Sequence, residues 1–191
     1  MTKPEDETFG VPRFLAFIDL GYLEEALAVA DAHLSRKIGT VATTEDRNRA
    51  GNVNATRQSL MRAAFIASFA SIEQNLDELA HIERNKQKVK LVPSDLKDRG
   101  IKRSLAYANK VLDKKLSTES HPWKDLLLLQ EVRNHLVHYG PGFSDSSEHI
   151  KRFERLEKTE YVSLRPSICF TMEQMNRIFG LYMECIQDFS S

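Results

Sequence analysis

The stretch "AAFIASFASIEQNLDELA", Ala63 to Ala80, decides the fold. Phe65, Phe69, Ile72, Leu76 and Leu79 step by 4, 3, 4 and 3 residues. That rhythm keeps one side of a helix apolar, because about 3.6 residues complete a turn. A half-buried strand needs alternation by two, which is missing here. The pattern runs from roughly Asn54 to Lys88, so the helix is long. Ala63, Ala64, Ala67 and Ala70 keep the neighbouring surface small, which suits close packing between helices. Glu73 lies one turn from both Phe69 and Leu76, at the border of the stripe, where a carboxylate usually has a partner.

The same reading extends outward. Before it, "RFLAFIDLGYLEEALAVADAHL" places Leu20, Leu23, Leu27 and Ala30 at helical spacing, and Gly39 with "TVATTEDRN" reads as a loop. After it, Pro93 interrupts the pattern and Ser94 or Asp95 can cap a short helix. Another helix is expected from about Ile101 to Leu116, with Leu105, Ala108 and Leu112 inward. A further helix begins near Pro122 and stops at Gly140–Pro141. In it Trp123, Leu127, Gln130, Asn134 and Val137 fall on one line, which points Asn134 toward packed surface with Arg133 at the edge. "PGFSDSSEH" reads as a polar loop, and "YVSLRPSICF" admits a short β-hairpin near 160–170 or an extended linker. Thr171 with Gln174 forms a capping box for a last helix, Met172 to about Phe189. The expectation is an all-α bundle of four to five main helices, one domain over residues 1–191, with residues 1–12 a flexible acidic segment.

Composition narrows the function classes. Gly and Pro number only 8 and 6, which disfavours many-turned β architectures. Two cysteines make neither a disulfide framework nor a metal cluster. No apolar run approaches the roughly 18 residues of a membrane span, and the N-terminus is no secretory signal. No membrane partner and a cytoplasmic location are therefore expected. The net charge is zero, but Arg84–Lys115 carries eleven basic and three acidic residues. Lys97, Arg99, Lys102 and Arg103 in that stretch are candidate phosphate contacts, against the plainer reading of a solvated surface.

The chain has no GxSxG, Walker loop, HExxH or CxxC. What remains is "LLLLQEVRNHLVHYGPG", Leu126 to Gly142, where Arg133, Asn134, His135, His138 and Tyr139 crowd the end of an apolar helix. His135 and His138 lack the carboxylate or cysteine companions of a metal site, so no metal and no cofactor are expected. Metal-free RNA cleavage needs a base for the 2′-hydroxyl, an acid for the leaving oxygen and a cation for the phosphate. Histidine suits the proton transfers and arginine the charge. One of each makes a thin site, which a two-fold dimer would double. The spacing alone also fits a helix-end cluster, with His138 on the last carbonyls and Arg133 on a carboxylate.

"RNHLVH" resembles the signature of HEPN domains: arginine, a polar residue, a few variable positions, then histidine. Arg133, Asn134 and His138 match the form with four intervening residues. The alanine-rich aromatic stretch leading to Glu73 also looks like the long HEPN helix, so the resemblance covers about Arg57 to Gly140. It implies a metal-independent endoribonuclease acting as a homodimer, with a role in toxin–antitoxin systems, phage defence or RNA processing. Arg133 would bind the scissile phosphate, His138 would move protons and Asn134 would orient them, with Glu73, His135 and Tyr139 in support. The products would carry a 2′,3′-cyclic phosphate and a 5′-hydroxyl. RNA is the implied substrate, and an antitoxin or effector protein the implied further partner. In some HEPN toxins a tyrosine two residues after the histidine is nucleotidylated. Here Gly140 holds that position and the tyrosine is Tyr139, which puts such control in doubt. The alternative is a non-catalytic helical module that binds a protein or nucleotide, recognisable by an Arg133 saturated with carboxylates of its own chain.

Overall fold

The computed structural model describes residues 10–39, 41–143 and 147–191. Six α-helices account for most of them: α1 Gly10–Arg36, α2 Thr44–Gln87, α3 Gly100–Lys110, α4 Trp123–Tyr139, α5 Ser147–Lys158 and α6 Met172–Ser190. A 3₁₀ turn at Pro93–Asp95 precedes α3. The bundle is all-α. No helix is long and apolar enough to cross a membrane among the described residues. Residues 1–9 of the expected flexible segment lie outside the described residues, while 10–12 open α1.

α2 is the axis and packs against α1, α3, α4 and α6. Its stripe is buried as the spacing requires, from Met61 through Phe65, Phe69, Ile72 and Leu76 to Leu79. Phe69 meets the edges of Phe65 and of Tyr182 from α6, at 5.2 and 5.5 Å between ring centroids. Of the four alanines only Ala64 is buried, and Ala63, Ala67 and Ala70 face outward. α2 also starts at Thr44, inside the loop expected over Gly39–Asn48. A Thr43 capping box with Asp46 satisfies its first amides from both directions.

Four further expectations are corrected. α3 stops at Lys110 rather than Leu116, because Asn109 turns its amide onto the next loop. Its Nδ2 donates to the Leu116 carbonyl and its Oδ1 accepts from the Leu116 amide, both at 2.8 Å. The hairpin near 160–170 shrinks to one bridge, Ser163–Cys169. Gln58 of α2 takes both backbone groups of Phe170 at 3.0 Å, leaving that residue nothing for a partner strand. The loop read over "PGFSDSSEH" gives way to α5 from Ser147, with residues 144–146 outside the description. Phe153 and Leu156 anchor α5, and the helix packs on α4. Finally, the buried line of α4 is Trp123, Leu126, Leu129, Val132 and Leu136. Asn134 is half-buried and Val137 is 51% exposed, because the polar Gln130–Arg133–Asn134 side is turned toward Glu73 instead of the core.

Candidate functional site

α4 ends where the sequence says it should. Gly140 takes a positive φ of 77°, which glycine adopts without a Cβ penalty, and its amide closes onto the Leu136 carbonyl at 3.2 Å. That stop leaves His138 and Tyr139 exposed in the last turn.

Arg133 is held from three sides. One terminal nitrogen donates to both carboxylate oxygens of Glu73, at 3.2 and 3.4 Å. The other donates to Asn134 Oδ1 at 2.9 Å. The guanidinium carbon stands 5.9 Å from the Phe69 ring centroid, a cation–π distance. Gln130 Nε2 adds a bond to Glu73 Oε1 at 3.2 Å. The Arg133 side chain stays 26% exposed, so its fork is oriented rather than sealed. It is therefore not saturated by carboxylates of its own chain.

Gly100 closes this arrangement from α3. Its φ is +55°, and a Cβ there would stand 2.7 Å from Glu73 Oε1 and 3.0 Å from Gln130 Nε2. A glycine lets the start of α3 approach the carboxylate that holds Arg133. In front of the group lies an open cleft of about 400 Å³, walled by Glu73, Gly100, Gln130, Glu131, Arg133 and Asn134, with Arg99 and Lys102 on its α3 side.

The four candidate phosphate contacts thus separate. Arg99 and Lys102 line the Arg133 cleft. Arg103 is tied to Asp77, whose other oxygen accepts from Ser104 Oγ at 3.0 Å, so it braces α3 against α2. Lys97 is exposed and lies outside the cleft lining.

His138 does not line the Arg133 cleft. Five residues of helix rotate a side chain by about 500°, which leaves the two about 140° apart around the axis. His138 instead borders a second depression of about 230 Å³, with Tyr139, His135, Arg152 and Phe153. Glu131 and Asn134 line both depressions and form the ridge between them. Arg152 of α5 clamps Glu131 at 2.5 Å. His135 is 6% exposed. Its Nε2 sits 2.9 Å from the Gly142 carbonyl and must carry the proton, since a carbonyl only accepts. Stacked near Phe143 at 5.0 Å, it fastens the segment after α4.

The other end of α4 holds a charged cluster that the sequence reading did not single out. Asp125 is 2% exposed and lies between Arg155 Nε at 2.7 Å and His121 Nδ1 at 3.0 Å. His121 Nε2 reaches Glu184 of α6 at 2.6 Å, and Trp123 Nε1 donates to Asp188 at 2.6 Å. The hydrogen bond to Asp125 holds the His121 pKa above the ordinary imidazole value, reinforced by Glu184. Burial pushes the Asp125 carboxyl up, but the bonds from Arg155 and His121 outweigh it and leave the pKa lowered. Asp125 sits among leucines at a helix start, so its spacing gave some sign of burial. His121 is four residues away, a local signal, but Arg155 lies 30 positions after Asp125 and Glu184 lies 63 after His121, and these gave none.

No protein-family model matches the chain, nor does a curated protein or a solved structure.

Proposed function

We propose that the chain is a metal-independent endoribonuclease of HEPN type that acts as a homodimer. The observation that carries this is the pair of adjoining depressions along α4. One presents a positioned arginine among further cations, and the other presents an exposed histidine. Arg133 would hold the phosphate, aligned by Glu73 and Asn134. His138 would take the 2′-hydroxyl proton or return one to the leaving oxygen. The rotation between the two along one helix is what a second copy would resolve. A two-fold pairing of α4 ends would set one protomer's His138 beside the other's Arg133. The exposed Val137 and Tyr139 beside His138, 51% and 72% accessible, give such a pairing its apolar contact.

The test couples assembly to activity. Wild type should behave as a dimer and cut RNA, and Val137→Glu should yield a folded monomer with little cleavage. A Val137→Glu chain that stays fully active as a monomer would refute the shared site. The non-catalytic reading draws on one observation, the contact of Arg133 with Glu73. Removing that contact separates the two. Glu73→Gln should lower cleavage if Glu73 aligns the arginine, whereas a binding module has no cleavage to lose.

A further inference from the structure

A third depression continues the line beyond the Arg133 cleft. It has a volume of about 310 Å³ between α3 and α4, and its walls include Leu105, Ala106 and Leu127. Lys102 lines both this recess and the cleft, and Lys110 stands at its far side. The recess thus has carbon walls and a cation at each end. Asn109 also borders it, but both ends of its amide are consumed by the Leu116 backbone. Thr118 is the remaining polar neighbour that could read a base edge.

We infer that this recess seats one unstacked nucleobase of a single-stranded RNA whose next phosphate is held at Lys102 and whose scissile phosphate lies at Arg133. The inference rests on the ribonuclease reading and extends it from a cut site to a strand path. The charge pattern selects the occupant. An apolar recess flanked by lysines matches a base between two phosphates, and an uncharged apolar segment would leave those lysines unused. With the Asn109 amide already satisfied, the recess selects by size and apolar surface, and tolerates different bases.

The probe is a set of fluorescein-labelled 2′-O-methyl RNA octamers, which cannot be cut because the attacking hydroxyl is blocked. A single abasic position is walked along the strand, and binding is read by anisotropy. In wild type one position should matter. Losing its base should weaken binding about tenfold, the order expected when roughly 60 Å² of apolar base surface stays in water. Ala106→Trp fills the recess, so it should weaken the intact octamer similarly and erase the penalty at that position. Lys102→Ala should weaken intact and abasic octamers alike and flatten the salt dependence by about 0.7 in logarithmic slope. The proposal is overturned if no position matters in wild type, if wild type binds none of the octamers, or if a folded Ala106→Trp chain keeps the penalty. The wild-type scan decides the matter even if that variant does not fold. Cleavage of unmodified RNA is scored separately. A chain that cuts RNA but ignores base removal loses the recess and keeps the nuclease. One with the abasic signature and no cleavage does the reverse.

Discussion

The two ends of α4 carry the same kinds of residue. At its start, buried Asp125 sits between Arg155 and His121, and His121 passes on to Glu184, so the group ties α4 to α5 and α6. At its end, Arg133 meets Glu73 and Asn134 but still faces a cleft, and His138 stands exposed around the helix from it. Residue type does not distinguish a brace from a site. What distinguishes them is the cleft that remains in front of Arg133.

The comparison breaks most visibly if activity follows the wrong end. Arg133→Ala and His138→Ala should each lower cleavage by about 10²- to 10³-fold, the scale of a lost proton-transfer or charge-stabilising group. Circular dichroism and dimer mass should not change. His135→Ala should act mainly on stability, because its ring is packed and bonded to Gly142. A His135 variant that folds normally yet alone loses cleavage would reverse these roles.

At the start of α4 the expected loss is of stability. Asp125→Ala strips Arg155 and His121 of their shared carboxylate and should cost about 2 kcal/mol in urea unfolding, with cleavage per folded molecule preserved. An inactive but equally stable variant would move the chemistry to that end.

Gly100→Ala lies between the two cases. It strains a positive-φ position and pushes on the Glu73 carboxylate, so about 1 kcal/mol of stability should go together with part of the cleavage rate. Unchanged cleavage would mean that Glu73 does not position Arg133.

The smallest effect is a pH dependence. His121 has its pKa raised in the folded state, so its contribution is fully present below the ordinary value of 6.5 and fades as pH rises through the folded value. Asp125 has its pKa lowered, so its contribution holds above the ordinary 3.8 and is lost as acid drives the pH through the folded value. The Tm difference between wild type and His121→Ala should therefore be larger at pH 5.5 than at pH 9. A difference independent of pH would remove the charged His121 from the brace.

Most of the scaffold was legible because it rests on local pattern. The Phe65–Leu79 stripe, the Thr171–Gln174 box and the Gly140 stop each depend on neighbours a few residues away. The hairpin failed on a contact distant in sequence. Gln58 reaches Phe170 across 112 positions and takes the backbone a hairpin would have used. α5 has few apolar residues, although Ile150, Phe153 and Leu156 at steps of three were a usable sign. The candidate residues Arg133, Asn134, His138 and Glu73 could be named from the sequence, but the cations could not be sorted. Arg99 and Lys102 face the cleft while Arg103 is spent on Asp77, a division set by how α3 lies on α2. The rotation between Arg133 and His138 follows from helix geometry alone and was available from their spacing.

The most direct measurement is cleavage of a mixed tRNA and mRNA substrate in excess EDTA, by wild type and His138→Ala, with analysis of the product ends. We expect 2′,3′-cyclic phosphate and 5′-hydroxyl ends from wild type and none from the variant. A folded, dimeric wild type that leaves the RNA intact, or a His138→Ala chain that cuts it equally well, would contradict the assignment of the open end of α4 as a ribonuclease site.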